Sequence, residues 1–178
     1  MTTYVAFLRG VNLGADRAVS MPRLVELAGG LGYADAWTYL RTGNLVLTTD
    51  RAASAVEREL THALREEYGA DVDVTVRTAA ELRAVLAANP FPDASASQVT
   101  VAFLVGEPPA GVEDRLAAVA TEAEPYAVHG REVWVRYGAG QARSRLAAGF
   151  SRVVGVSATT RTLGTVEKVL ARLDARAG

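Results

Sequence analysis

The order of short segments constrains this chain more than any other feature. Over residues 1–77, strand and helix signals follow the pattern β-α-β-β-α-β, with joins that keep successive elements adjacent. Residues 3–9 (Thr-Tyr-Val-Ala-Phe-Leu-Arg) are β-branched and aromatic, hence a strand. Ser20-Met21-Pro22 starts a helix, with Ser as N-cap and Pro tolerated in the first turn. Leu24, Leu27, Ala28 and Leu31 recur at helical spacing, and Gly32 ends the run. Residues 36–41 and 44–48 are strand-like and joined at Thr42-Gly43, a hairpin signal. Residues 52–68 form a second helix whose apolar face includes Ala55, Leu60, Ala63 and Leu64, with Gly69 at its C-terminal end. Val72, Val74 and Val76 alternate with polar residues, as in a half-buried strand. This order is the split βαβ, ferredoxin-like arrangement, an antiparallel sheet with helices on one face.

Residues 78–88 read as a helix capped by Thr78 and stopped by Asn89-Pro90-Phe91-Pro92. After a small, polar stretch at 93–97 comes a second unit: strand 99–105, turn 107–111, helix 112–121, and strands 126–129 and 132–137 split by Gly130-Arg131. A helix is predicted over about 141–154 and another over about 165–176, the latter with Val166, Val169, Leu170 and Leu173 at helical spacing. Residues 156–160 are the candidate closing strand. The expectation is an α+β chain of two ferredoxin-like halves with antiparallel sheets, 1–77 and 78–178, the second with extra helices. No sequence repeat accompanies it; the halves are alike in element order alone.

A chain of 178 residues buries about 70% of its unfolded surface, so a core forms without staples. Cysteine is absent, which excludes disulfides, thiolate metal sites and a cysteine nucleophile. His62 and His129 are far apart in sequence, so no metal or other cofactor is expected. No apolar run reaches the length of a membrane span, and residues 1–10 read as a strand instead of a signal peptide. The expected protein is soluble and cytoplasmic, with no membrane contact. A phosphate loop ending Gly-Lys-Ser/Thr is missing, and the one lysine, Lys168, sits beside Glu167 on the polar side of the last helix. Neither histidine adjoins a serine in a hydrolase motif, and Glu66-Glu67 lie on a solvated helix face. No residue is therefore assigned a catalytic role. Trp37, Tyr39 and Trp134 fall in strands, where they pack.

The charge pattern points to anions. Eighteen arginines accompany the single lysine. Residues 133–166 hold five arginines (Arg136, Arg143, Arg145, Arg152, Arg161) and no acid, whereas 107–124 hold five acids and one arginine. Such a stretch is an anion-binding face or a solvated surface. Tyr137-Gly138-Ala139-Gly140-Gln141 joins a strand to the predicted helix, with Arg143 and Arg145 near its first turn. Arginine there is disfavoured by roughly 0.3–1 kcal/mol per charge. A bound phosphate or carboxylate would reverse the sign, as would an acid from elsewhere in the chain. The loop Arg9-Gly10-Val11-Asn12-Leu13-Gly14 offers glycines that admit a ligand to the backbone or simply make a turn. Arg41-Thr42-Gly43-Asn44 has the same two readings, Asn44 supplying turn conformation in the second. Ser157, Thr159, Thr160 and Thr162 are placed to cap the last helix.

Residues 7–14 (Phe-Leu-Arg-Gly-Val-Asn-Leu-Gly), 39–46 (Tyr-Leu-Arg-Thr-Gly-Asn-Leu-Val), 89–91 (Asn-Pro-Phe) and 158–161 (Ala-Thr-Thr-Arg) together resemble the bacterial family DUF1697, a domain of unknown function. The likeness runs from Tyr4 to Leu170. It implies two ferredoxin-like halves and no established activity. The family's motif arginines and glycines fall at Arg9, Gly10, Gly14, Gly43, Arg145 and Arg161. Where the family usually has Asn-Trp-Asn-Thr, this chain has Thr162-Leu163-Gly164-Thr165.

The leading expectation is a small anionic, phosphate-bearing ligand surrounded by Arg9, Arg41, Arg143, Arg145 and Arg161, with amides from Gly138–Gly140. RNA or single-stranded nucleic acid on the sheet is the second reading. A net charge of −1 and a pI near 6.1 argue against it. A transferase-type enzyme at the same anion site, acting through electrostatic stabilisation, is the third. A protein-interaction module is the fourth.

Overall fold

The computed structural model describes residues 1–12, 19–69 and 71–177. The chain forms two compact units, Met1–Arg83 and Ala84–Gly178. The first runs β1 (Thr2–Leu8), α1 (Met21–Gly30), β2 (Ala34–Tyr39), β3 (Asn44–Thr49), α2 (Ala53–Tyr68), β4 (Val74–Thr78) and then α3 (Ala79–Ala87). Its antiparallel sheet has the order β2-β3-β1-β4. The second runs β5 (Val99–Leu104), α4 (Val112–Ala117), β6 (Tyr126–His129), β7 (Glu132–Arg136), α5 (Arg145–Ala148), α6 (Phe150–Val154), β8 (Ala158–Thr162) and α7 (Leu163–Ala177). Its sheet order, β6-β7-β5-β8, repeats the first. Both halves are antiparallel split βαβ units, each followed by one further helix.

Local chemistry sets the helix ends. The Ser20 hydroxyl accepts from the Arg23 N–H at the start of α1, with Pro22 in the first turn. Gly69, left-handed at φ 63°, closes α2. Thr78 and Glu81 form a reciprocal capping box at the start of α3: the Glu81 N–H donates to Thr78 Oγ1 (3.1 Å), and the Thr78 N–H donates to Glu81 Oε2 (2.7 Å). Thr162 does half of this for α7, accepting from the Thr165 N–H.

On the helix side of the first sheet, Tyr4, Ala6, Leu8, Leu45, Leu47, Val74 and Val76 pack with Leu24, Ala28, Val56, Leu60 and Leu64. In the second unit, Ala102, Leu104, Val133, Val135 and Ala158 pack with Leu116, Leu146, Phe150 and Val154. The opposite faces of the central strands are buried too, with Val5, Phe7, Val101 and Phe103 each at 0% exposure. Burial on both faces is why β1 and β5 read as unbroken apolar runs.

The register exposes a repeat that element order alone conceals. Val5-Ala6-Phe7-Leu8 in β1 recurs as Val101-Ala102-Phe103-Leu104 in β5, and each is followed by one residue and a left-handed glycine, Gly10 or Gly106. Val5 pairs with Arg77 on β4; Val101 pairs with Arg161 on β8. Each arginine precedes the threonine that caps the next helix, and each donates Nη1 to the carbonyl just before it. The expectation of no sequence repeat is thereby corrected.

Four further details depart from expectation. Val56, not Ala55, is the buried residue on the first turn of α2, because Val56, Leu60 and Leu64 lie four apart. Alternation in β4 is not alternation of burial: Thr75 (0%) and Arg77 (1%) are enclosed on the second face. Helix α4 stops at Ala117, with Glu124 taking the Thr121 N–H and hydroxyl. The single helix expected over 141–154 is broken into a 3-10 turn (Gln141–Arg143), α5 and α6. Ser144 causes the first break: it is extended (φ −84°, ψ 125°), and its hydroxyl caps α5 through the Ala147 N–H (2.9 Å). Gly149 makes the second. Arg115 then closes α6, donating to the Val153 and Val154 carbonyls, a cation at a helix C-terminus. Among the described residues no helix is long and apolar enough to cross a membrane.

Candidate ligand-binding site

In the first unit the chain leaves β1 under backbone control. The Leu8 N–H donates to the Gly43 carbonyl (2.8 Å), and the Arg9 N–H donates to the Asp73 carbonyl (2.9 Å). Gly10 (φ 66°) and Asn12 (φ 57°) are left-handed, with buried Val11 between them outside that region. Two left-handed residues flanking one that is not form the kind of alternation found in anion-binding backbone turns. Among the described residues, none accepts from the N–H of Gly10, Val11 or Asn12.

The Asn12 side chain ties this turn to its surroundings. Nδ2 donates to the Val19 carbonyl (3.0 Å) and the Arg41 carbonyl (2.6 Å), while Oδ1 accepts from the Val19 N–H (2.8 Å). The β2–β3 hairpin loop is thereby drawn against residues 10–12. Asn44, fully buried, donates Nδ2 to the Tyr39 carbonyl (2.8 Å) and to Thr42 Oγ1 (3.1 Å), fixing that loop. Gly43 (φ 77°) stands where the two loops meet: a Cβ there would lie 2.5 Å from Val11 Cγ2 and 2.8 Å from Leu8 Cβ.

Cations flank the turn. Arg9 pairs with Asp73 at 3.1 Å, both half-exposed. Arg41 is exposed and, among the described residues, has no carboxylate partner. The preceding residue, Leu40, is left-handed at φ 58° and 47% exposed. That conformation costs a leucine about 1–2 kcal/mol. The other non-glycine residues at positive φ among the described residues, Asn12 and Asp35, are of types that tolerate it.

The second predicted site is built differently. The Gly138 N–H donates to the Ala123 carbonyl (3.4 Å) and the Gly140 N–H to the Tyr137 carbonyl (3.1 Å), so both amides are engaged within the chain. The Gln141 side-chain amide donates to the Thr100 hydroxyl. Arg143 ends the 3-10 turn and Arg145 begins α5, a helix of four residues with little dipole to offer an anion. Both arginines are exposed, and among the described residues neither has an ion-pair partner. Ser144 also hydrogen-bonds Glu124; that bond, with help from Thr121 and against burial, holds the Glu124 carboxyl below the usual carboxylate range. The expected helix pole crowded by guanidinium groups is therefore not formed, because Ser144 and Gly149 break the helix.

Thr160 and Arg161 lie on β8, where successive side chains alternate between faces. Ala158 faces the core that holds Leu146 and Phe150; Thr160, exposed, shares its side, and Arg161 takes the other. Arg161 is half-buried, and burial lowers its pKa to about 10, which leaves it cationic at neutral pH. Arg143 and Arg145 belong to the segment packed on the first of these faces, so Arg161 does not join them.

The structure thus gathers Arg9, Gly10, Asn12, Arg41 and Asn44 at one corner. Gly138, Gly140, Arg143 and Arg145 belong to the second unit, and Gly14 lies outside the described residues. Reading the sequence misses Leu40, whose signal is an apolar residue at a hairpin tip, and Asp73, which carries no motif. Among the described residues no group of three histidine, aspartate or glutamate side chains is placed to hold a metal.

Comparisons with known proteins agree on the fold. The family model described as "Protein of unknown function (DUF1697)" matches residues 1–134, a span that includes the first-unit corner and ends before Gly138, Arg145 and Arg161. Among solved structures, the conserved bacterial protein SP0830 from Streptococcus pneumoniae is similar over 98% of this chain and 99% of its own, with 18% identity and a TM-score of 0.75. No curated protein matches the chain.

Proposed function

The chain belongs to the DUF1697 family of proteins of unknown function, and from that premise we propose that it binds a small anion of the phosphate-ester class at the corner of residues 9–12 and 40–44. The observation that carries this reading is the turn Gly10-Val11-Asn12, left-handed at both ends, whose N–H groups meet no acceptor among the described residues. Beside it stands Arg41, exposed and without a carboxylate partner among those residues. Backbone N–H groups and a guanidinium fork are complementary donors for phosphate oxygens. Asn12 keeps the two loops in register, so the donors need little rearrangement when the anion arrives.

The competing readings draw less support. Nucleic-acid binding on the sheet calls for exposed aromatics, whereas Phe7, Phe103 and Trp134 are buried and Trp37 and Tyr39 are only partly exposed. A net charge of −1 adds no pull toward a polyanion. A transferase-type enzyme would act on the same anion through electrostatic stabilisation by these donors, so it shares the binding step and is distinguished by turnover.

Thermal denaturation with inorganic phosphate and a nucleoside monophosphate tests the proposal. A ligand at a hundred times its Kd adds about 2.7 kcal/mol, a rise of several degrees in Tm. Arg41→Ala abolishes the rise and Arg143→Ala retains it. The proposal is overturned if the wild type shows no rise, or if the rise survives Arg41→Ala.

A further inference from the structure

We infer that the corner takes an amphipathic anion, in which the charged group meets the Gly10–Asn12 turn and Arg41 while an apolar, ring-bearing part lies on Leu40. The inference rests on the anion-binding reading above and adds the class of ligand to it. Single exposed leucines are ordinary on protein surfaces. Leu40 differs because its backbone is left-handed, at φ 58°. Glycine or asparagine would relieve that conformation, and asparagine would also suit an exposed hairpin tip. Leucine is the worse choice on both counts, and strain of this kind concentrates at ligand-binding positions.

Its placement supplies the reason. Leu40 adjoins Arg41 in the chain, and the Arg41 carbonyl is bonded to the Asn12 side chain. Leu40 is thus one residue from the carbonyl that ties the hairpin loop to the Gly10–Asn12 turn. Asn12, left-handed like Leu40, already has a structural task in its three hydrogen bonds. Among the described residues the exposed large apolar side chains are Met1, Leu40 and Val105, and of these Leu40 is at positive φ.

Isothermal titration of the full chain with inorganic phosphate and with phenyl phosphate tests this. The wild type binds phenyl phosphate about tenfold more tightly, the gain expected from partial burial of a ring. In Leu40→Asn, phenyl phosphate weakens to the level of inorganic phosphate, while circular dichroism and the melting curve report an intact fold. Equal affinities in the wild type overturn this inference and leave the anion site standing, as does a preference that survives Leu40→Asn. Failure of both probes to bind the wild type overturns the anion site and this inference together.

Discussion

The two halves place the same corner in two versions. In each, the strand Val-Ala-Phe-Leu exits through a left-handed glycine, and the N–H of its leucine donates to the carbonyl of the residue just before its antiparallel partner β3 or β7: Leu8 to Gly43, Leu104 to Arg131. In the second half the hairpin is two residues, Gly130-Arg131, and the exit continues Val105-Gly106-Glu107-Pro108. In the first half the loop spans residues 40–43, and the exit is Arg9-Gly10-Val11-Asn12. The first version carries the added cation, the left-handed leucine and the asparagine tie. A repeated scaffold with one corner elaborated by loop residues is how a fold acquires a site without changing its core.

Substitutions at the paired glycines should break this comparison most sharply. Gly43→Ala forces a methyl group between Val11 and Leu8 at positive φ, and should cost about 3 kcal/mol by urea denaturation. Gly106→Ala, with nothing within 4 Å of the added carbon, should cost only about 1 kcal/mol. Equal losses would show that the two corners are equally plain turns.

A smaller effect is expected where the second half departs from the first, at the helix break. Ser144→Ala removes the α5 cap and should cost about 1 kcal/mol at neutral pH. It also removes a bond that lowers the pKa of Glu124. A carboxyl depressed on folding stabilises above its unfolded value of 4.5, and that contribution is lost as pH falls through the lower folded value. Melting temperatures below pH 4.5 should therefore fall less steeply in the variant than in the wild type.

The smallest effect has the opposite sign. Leu40→Asn should raise stability by about 0.5 kcal/mol, or one to two degrees in Tm, because asparagine accepts the left-handed conformation. A loss of stability would show that Leu40 is part of the core in solution.

Strands and hairpins were legible in the sequence because their signals are local. Ser20 with Pro22 marked α1, and Gly130-Arg131 marked the β6–β7 turn. The broken helix was hidden by the core it serves: Leu146, Phe150 and Val154 keep a spacing of four residues across Gly149, since both short helices face one cluster. The closing strand β8 was faint because Ala-Thr-Thr-Arg-Thr is polar, and what holds it is pairing with β5 and burial on its second face. Of the proposed site, the glycines and arginines were visible as letters. Their grouping was not, because the bond from Asn12 to Arg41 spans twenty-nine positions and a change of element.

The twin tetrapeptides also bear on how the chain reaches its native state. Two identical strand cores offer every neighbouring strand a choice of mates, a source of mispairing when all are released together from denaturant. Synthesis removes the ambiguity by timing. Residue 78 ends β4 before residue 99 begins β5, so the earlier copy has its full set of mates before its duplicate emerges from the ribosome.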